Sequence, residues 1–163
     1  MTPHVECSHN VDARVMDRVV TERLVAGRSR CEAAGQRWTA PRARSYELLL
    51  RAGGAARAYD LVAGFGRHGG SAKPPTVYRA LDFLLDLGLA HRIESRNMFV
   101  VCAGPGAPHD AQFLICDCCT RVFELDLGAR EIAKAIALAR GFVLTGWMAE
   151  ATGLCHACHS ENS

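Results

Sequence analysis

Two Cys-x-x-Cys pairs near the end of this sequence constrain its fold more than any other feature. The first pair is Cys116 and Cys119, the second is Cys155 and Cys158, and a strand-helix-strand pattern lies between them. Two intervening residues let both sulfurs of a pair face one ion from a tight turn, and four thiolates satisfy the tetrahedral coordination of Zn²⁺. A closed set of four cysteines is typical of a structural site. The sequence therefore predicts a small module held together by zinc.

The first pair has an alternative register. Residues 116–119 read Cys-Asp-Cys-Cys, so Cys118 also neighbours Cys116. We choose Cys116 and Cys119 because a single-residue spacer is not the usual knuckle geometry, and Cys118 is then a spare thiol. The competing interpretation is a redox Cys-x-x-Cys motif, which needs one pair at a helix N-terminus to lower a thiol pKa. Because both pairs are predicted at strand ends, the pattern favours zinc.

Length and charge favour two small domains, of which the first binds nucleic acid. The chain has 163 residues, enough for one ordinary domain or two small ones with thin cores. Residues 1–98 hold 15 Lys and Arg against 10 Asp and Glu, whereas residues 99–163 hold 4 against 7. A basic first part and a mildly acidic second part are consistent with nucleic-acid binding by the first part alone, although chance variation in solvated charge is the simpler explanation.

Cysteine usage predicts a reducing compartment. Of the 8 cysteines, 6 follow residue 98. The opening residues lack a basic start followed by an apolar stretch, and no apolar run is long enough to cross a bilayer. Thiols then stay reduced, and clustered Cys and His are metal ligands more often than disulfides. We expect a cytoplasmic protein without membrane contact.

Hydrophobic periodicity and turn residues predict an α+β chain. The first part has the pattern of a winged helix-turn-helix, which is three helices, a fourth presented helix and a β-hairpin turned at residues 95–97. The predicted helices are Val11–Ala34, a helix capped by Thr39 and closed by Gly53-Gly54, Ala58–Gly66 and Thr76–Leu87. A run of Gly, Pro and Ala at 103–108 predicts the domain boundary. The domains are then 11–102 for DNA binding, 103–108 for the hinge and 109–163 for a small α/β module.

The α/β module is predicted from three strand-like runs and one helix. These elements are the strands Gln112–Ile115 and Val122–Leu125, the helix Ala129–Arg140 and a strand-like run over Phe142–Ala149.

A second set of ligand types is scattered around the predicted boundary. His91 opens the first hairpin strand, Cys102 closes the second, His109 follows the linker and Glu124 lies on a strand of the α/β module. One thiolate, two imidazoles and a carboxylate form a chemically sensible zinc set. Each residue also has a simpler role, as a surface histidine, a buried cysteine or an ion-pairing glutamate.

Residues for nucleic-acid binding cluster near the fourth helix. Lys73, Thr76, Tyr78 and Arg79 lie near its N-terminal end, where helix-turn-helix proteins face base edges in the major groove. Arg79 can pair with guanine O6 and N7. Tyr59 on the third helix can touch backbone or base, and Arg42 and Arg44 offer phosphate contacts. A solvated charge is the simpler role for any single arginine.

These segments resemble one known family over roughly residues 35 to 159. AYDL, AKPPTVYRALDFLLDLGLAHRIES, FVVC, FLICDCC with a downstream Glu, and GLCHAC are similar to the ferric uptake regulator superfamily, and within it to the zinc uptake regulator branch. The resemblance implies a dimeric, zinc-responsive repressor with an N-terminal winged helix and a C-terminal α/β dimerisation domain. There are two departures. The family's Thr-Pro-x-Arg is Thr39-Ala40-Pro41-Arg42 here, with the proline shifted by one, and the His-rich run usual in the iron branch is reduced to His109, which argues against iron or peroxide sensing.

The resemblance also implies roles for particular residues. Cys116, Cys119, Cys155 and Cys158 match the structural zinc thiolates. The positions that match the regulatory zinc site are His91, Cys102, His109 and Glu124. Tyr59 and Arg79 match residues that contact operator DNA. Two Zn²⁺ per chain, a homodimer, double-stranded operator DNA and no small organic substrate are therefore expected.

Three alternatives remain at this stage. One is a regulator of the same superfamily that responds to iron or manganese, and another is one that responds to thiol oxidation. A zinc-dependent enzyme is the third, although the His-x-Glu partner of the deaminase pattern is absent. No catalytic residue is predicted.

Overall fold

The computed structural model describes residues 13–66, 73–104, 111–125, 128–144 and 147–161. The chain divides into two compact units, one up to Pro108 and one from His109 onward. The elements of the first unit are α1 (Ala13–Ala33), α2 (Ala40–Arg51), α3 (Ala58–Gly66), α4 (Pro74–Asp86), β1 (Ala90–Ile93) and β2 (Met98–Val101). Those of the second are β3 (Gln112–Cys116), β4 (Val122–Leu125), α5 (Ala129–Ala139), β5 (Ala149–Gly153) and α6 (His156–Glu161).

Glycines and prolines end and begin the helices of the first unit at the predicted places. Gly35, Gly53 and Gly88 follow α1, α2 and α4, and all three have a positive φ, a conformation that only glycine adopts without strain. Thr39 is the N-cap of α2, although its side chain makes no capping hydrogen bond. α4 begins two residues earlier than predicted, at Pro74, because proline suits the first helical turn. Residues 11 and 12 and most of the Gly/Ser loop before α4 lie outside the described residues.

The predicted wing is an antiparallel hairpin. β1 pairs with β2 from Ala90↔Val101 to Ile93↔Met98. A 3₁₀ turn over Glu94–Arg96 and a left-handed Asn97 connect the strands, and the Arg92 guanidinium donates a hydrogen bond to Asn97 Oδ1 at 2.9 Å.

One hydrophobic core holds the helices and the hairpin of the first unit together. Leu49 of α2 and Leu81 and Leu84 of α4 are 1% exposed or less, and α2 and α4 form the most extensive helix pair. The buried residues of this core are Val20, Cys31, Tyr46, Leu49, Leu50, Ala56, Ala58, Leu61, Phe65, Val77, Leu81, Leu84, Leu87, Leu89, Ala90 and Phe99. Val77, Leu81 and Leu84 form a buried stripe along α4, and the opposite face of the helix is in solvent. Apolar residues at helical spacing predict this arrangement.

The second unit is a three-stranded sheet in the order β4-β3-β5. β3 pairs antiparallel with β4 and parallel with β5. The predicted strand over Phe142–Ala149 is wrong: among the described residues of that run only Ala149 is in a strand, and β5 continues to Gly153. The run 142–148 is apolar, but it is 149–153 that pair with β3. Phe142 and Val143 are instead 62% and 78% exposed.

Within the described residues, no helix has the length and apolar character needed to cross a membrane.

An ion-pair network links the first three helices. Arg51 of α2 contacts Asp17 of α1 at 2.8 Å and Glu47 at 2.9 Å. Arg44 contacts Glu47 at 2.7 Å and donates to the carbonyl of Gly64 on α3. Burial raises the pKa of Glu47, but the hydrogen bonds from Arg44 and Arg51 lower it by more, so the net pKa is below its ordinary value.

Glu47→Gln is expected to destabilise the first unit by about 1–2 kcal/mol at pH 7, because both arginines lose a charged acceptor. A carboxyl group with a lowered folded pKa contributes stability above its unfolded pKa and loses it as the pH falls through the folded pKa. The difference from wild type should therefore be smaller at an acidic pH below the folded pKa than at pH 7. Urea unfolding followed by Trp38 fluorescence in a Trp147→Phe background measures both values. Glu22→Gln, which removes an exposed pair with Arg18 at 3.6 Å, is the control. An equal loss for Glu47→Gln at both pH values would contradict the ion-pair explanation.

Candidate metal centres and nucleic-acid interface

The two Cys-x-x-Cys pairs meet at one edge of the second sheet. β3 and β5 are adjacent and parallel, and their register places Cys116 opposite Gly153. Because the carboxyl ends of parallel strands lie at the same edge, Cys116 at the end of β3 and Cys155 just beyond β5 are brought together. Their partners Cys119 and Cys158 follow within one turn. The four sulfurs all lie within 4.8 Å of one another.

The sulfur spacing fits a metal ion rather than a disulfide. Cys119 Sγ lies 3.8 Å from Cys155 Sγ. A disulfide requires about 2.05 Å between sulfurs. Tetrahedral zinc with Zn–S bonds of about 2.3 Å requires sulfurs roughly 3.8 Å apart. All seven cysteines of the described residues are free thiols.

Backbone amides prepare this site for thiolates. The N–H of Cys155 donates to Cys116 Sγ at 3.4 Å. Burial raises the pKa of the Cys116 thiol. Hydrogen bonds from Cys119, Cys155 and Cys118 lower the pKa by more than burial raises it, so the net value is about 6. The knuckle is also braced by the N–H of Asp117, which donates to the Gly153 carbonyl at 2.8 Å. The donors therefore stabilise the deprotonated form that binds metal.

The expectation that both cysteine pairs lie at strand ends is wrong for the second pair. Cys158 lies within α6 and Cys155 immediately precedes that helix, so the second pair opens a short helix instead of ending a strand. The convergence of four sulfurs carries the metal interpretation instead. Cys118 is half-buried and is not a member of the set of four.

Two of the scattered ligand candidates lie together in the first unit. Cys102 follows β2, and its N–H donates to the Leu89 carbonyl at 3.0 Å. His91 lies on β1, with a ring nitrogen within 4.8 Å of Cys102 Sγ. Cys102 is 2% exposed, and its thiol donates to the Gly104 carbonyl at 2.9 Å. An imidazole and a thiol at this distance can supply two ligands to one ion.

The other two candidates belong to the second unit. Glu124 lies on β4 opposite Phe113 and is half-buried. His109 lies outside the described residues.

The residues predicted to bind nucleic acid occupy the exposed face of α4 and the residue before it. Tyr78 is 48% exposed, Arg79 and Lys73 are exposed and Thr76 is half-buried. Tyr59 on α3 is 79% exposed, which is unusual for a large aromatic side chain. Asp82 and Asp86, which were not singled out from the sequence, are also exposed on α4. Their carboxylates make the second half of this helix acidic.

Two arginines have structural contacts. The Arg42 guanidinium stacks over the Phe83 ring at 3.5 Å from its centroid, which joins α2 to α4. Arg44 is held by Glu47 and Gly64. The Arg44 guanidinium is bonded to Glu47 and its side chain is only 20% exposed, which leaves little of it open to solvent; its expected phosphate contact stays a prediction.

α1 contacts Cys102 through a hydrogen bond that was not predicted from the sequence. Arg23 Nη2 donates to the Cys102 carbonyl at 2.5 Å. The two residues are 79 positions apart, and neither periodicity nor spacing indicates that they meet.

Comparison with known proteins identifies relatives over most of the chain. No family model matches it. The chain is 39% identical over 146 residues to the zinc uptake regulation protein of Escherichia coli (strain K12), covering 88% of this chain and 85% of that protein. A solved zinc uptake regulator complexed with zinc and DNA has a TM-score of 0.83 and 38% identity, over 88% of this chain and 97% of that one. Holo XcZur has a TM-score of 0.77 and 39% identity, over 84% and 96%.

These likenesses confirm the family resemblance and the α+β fold class predicted from sequence. The family is one of transcription regulators and not of enzymes. The chain belongs to the zinc uptake regulators, a branch of the ferric uptake regulator superfamily.

Proposed function

We propose that this protein is a zinc-responsive transcriptional repressor that binds operator DNA and controls zinc uptake genes. The likeness over most of the chain to a zinc uptake regulator complexed with zinc and DNA carries this proposal. The convergence of four thiols with metal-like spacing supports it independently.

The chain binds two Zn²⁺ ions with different roles. The structural ion is held by Cys116, Cys119, Cys155 and Cys158, a closed thiolate set without an open position for substrate. The regulatory ion is held by a mixed set, which consists of His91, Cys102, His109 and Glu124. The mixed set draws on residues from both sides of the linker at 103–108, so its occupancy couples the DNA-binding domain (11–102) to the dimerisation domain (109–163).

The N-terminal half of α4 is the DNA-reading surface. Arg79 is the side chain that can read guanine edges, and Tyr59, Lys73, Thr76 and Tyr78 surround it or contact the backbone. Arg42, stacked on Phe83, presents a fixed cation beside α4 for a phosphate. Zinc favours the DNA-competent state, and by linkage DNA tightens zinc binding to the same degree, about 1–3 kcal/mol per site.

The active form is a homodimer that assembles through the second unit. α5 buries none of its residues, and its apolar Ile132, Ile136 and Leu138 are 62%, 59% and 74% exposed. Leu114 of β3 and Phe123 of β4 are also more than 40% exposed and line a cavity of about 370 Å³. Apolar surface of this extent supports a partner, and a second copy supplies two recognition helices for half-sites about 34–36 Å apart. Such a dimer acts in the cytoplasm, without membrane or small organic substrate.

Cys102→Ser is expected to remove one zinc per chain and to lower zinc-dependent operator affinity, because serine is a poor zinc ligand at neutral pH. The folded dimer should persist, since the thiolate set is untouched. Metal analysis, size-exclusion chromatography and DNA binding across buffered free zinc, with iron and manganese as competing metals, measure these outcomes.

Cys118→Ser is the matched control, because its thiol belongs to neither set, and it should keep both ions. If Cys102→Ser retained two zinc ions and full zinc dependence, the regulatory site would lie elsewhere. Unfolding of Cys102→Ser would overturn the division into a structural and a regulatory ion.

A further inference from the structure

We propose that Arg23 is a positioning residue that holds Cys102 in place to bind the regulatory metal ion. The inference rests on the proposed function, since it takes Cys102 to be a zinc ligand. The contact that carries it joins α1 to the end of the wing, where Arg23 Nη2 donates a hydrogen bond to the Cys102 carbonyl.

Cys102 lies where the hairpin no longer holds the chain. The β1–β2 pairing ends at Ala90↔Val101, one residue earlier. The Cys102 N–H still donates to the Leu89 carbonyl, but the Leu89 N–H is bonded to the Leu84 carbonyl, and the Cys102 carbonyl accepts a hydrogen bond from Arg23. Fixing both backbone groups of one residue restricts its φ and ψ, and therefore the positions that Sγ can reach.

Cys102 is buried, but the space beside it is not filled. A cavity of about 240 Å³ adjoins Cys102, and three glycines are among the residues that line it. The lining residues are Arg23, Ala26, Gly27, Arg30, Tyr46, Gly88, Leu89, Cys102 and Gly104. Without a guanidinium across this space, the end of the wing has room to shift toward α1 (glycine carries no side chain to oppose it).

α1 is itself a fixed support. Its residues Val20, Gly27 and Cys31 are buried, and Arg51 of α2 holds Asp17 at 2.8 Å. A Cβ on Gly27 would lie 3.1 Å from Tyr46 Cε1, which shows how closely α1 approaches α2. The stem of Arg23 therefore projects from a helix that has little freedom to move.

The consequence is a prearranged pair of ligands. With the Cys102 backbone fixed, its Sγ stays within 4.8 Å of a His91 nitrogen. A metal ion then binds with less ordering of the chain, and partners of this kind commonly strengthen metal affinity by about 10- to 100-fold.

The test compares Arg23→Met, which keeps the apolar stem without the donor, with Arg23→Lys, which keeps a cationic donor. Both are made in the full chain with the thiolate set filled, and zinc affinity of the second site is measured by chelator competition. Cobalt loading of that site reports the sulfur-to-metal charge-transfer band, which requires the Cys102 thiolate in the coordination shell. Arg28→Ala is the matched control, because Arg28 is exposed on the same helix and, within the part of the chain that the structure describes, its side chain bonds to Glu32.

We expect Arg23→Met to weaken the second zinc by about 10- to 100-fold and to reduce the charge-transfer band. Arg23→Lys should recover part of both, and the urea midpoint of the first unit should stay near that of Arg28→Ala. An unchanged affinity in Arg23→Met would overturn the inference. Equal losses in Met and Lys variants, with a lowered urea midpoint, would also overturn it and indicate packing.

Cys102→Ser, measured in parallel, distinguishes failure of the positioning role of Arg23 from failure of the proposed function. If Cys102→Ser loses the second zinc and Arg23→Met does not, only the positioning role fails. Retention of the second zinc by Cys102→Ser would mean that the proposed function has the wrong ligand.

Discussion

Cys119→Ser is expected to lose the structural zinc and to unfold the second unit, whereas Cys118→Ser, one residue earlier, should change neither. The sheet of this unit has only three short strands, and α5 buries no residue against it. Among the described residues of this unit, the buried apolar side chains are mainly Ala111, Phe113 and Ile115 in and beside β3. This core is small, so the metal is expected to supply much of the folding free energy. In zinc-finger peptides such ions contribute about 10–16 kcal/mol, far more than a domain of this size gains otherwise.

Metal content, near-ultraviolet circular dichroism and Trp147 fluorescence of the purified variants measure the effect. The adjacent cysteines make a close control, since the substitution is chemically the same and only membership in the set of four differs. The reverse result, with Cys118→Ser unfolded and Cys119→Ser intact, would show that the knuckle uses the other register. If Cys119→Ser stayed folded after losing its zinc, the ion would not be needed for the fold, and if it kept its zinc, Cys119 would not be a required ligand.

Helix ends were predictable from sequence because single residues determine them. Gly35, Gly53, Gly88 and Gly141 each have a positive φ immediately after a helix, a conformation that glycine supplies at little cost. The apolar stripe of α4 was equally readable, because helical periodicity and burial coincide there.

Long-range pairing was not predictable in the same way. The apolar run over Phe142–Ala149 has strand-like composition, yet β5 is the less apolar segment Ala149–Gly153, because that segment pairs with β3. Composition shows which segments are able to form a strand, but pairing with a neighbouring strand determines which of them does. The helix that contains Cys158 was missed for a related reason, since six residues carry too little periodicity to distinguish a helix from a turn.

The candidate sites show the same division between local and distant information. The spacing within each Cys-x-x-Cys pair is local, and it was sufficient to predict a zinc knuckle from the sequence. The hydrogen bond from Arg23 to Cys102 joins residues whose separation carries no pattern. Arg44 had the residue type of a phosphate ligand, but its hydrogen bond to the Gly64 carbonyl depends on the packing of α2 against α3.

The second large effect is expected at Arg79. Arg79→Ala should weaken specific DNA binding by about 1–3 kcal/mol, or roughly 5- to 150-fold, and should relax the preference at one base pair. The side chain is exposed near the start of α4, on the face that carries Tyr78 and away from the buried Val77. A guanidinium there can make two parallel hydrogen bonds to guanine O6 and N7, which no other base pair accepts in the same geometry. Zinc-loaded wild type would first select fragments from random DNA, and the variants would then be titrated on those fragments and on single-base changes.

Arg79→Lys distinguishes base reading from charge. Lysine keeps the positive charge near the phosphates but lacks the planar fork, so the dependence of affinity on salt should be retained while discrimination between bases falls. Arg28→Ala, which removes an exposed cation from α1, should leave base preference unchanged. If Arg79→Lys discriminates as well as wild type while Arg79→Ala changes mainly the salt dependence, then Arg79 contacts phosphate. The base-reading residue would then have to be sought among the other residues predicted to face DNA, because the carboxylates of Asp82 and Asp86 repel phosphates from the second half of the helix.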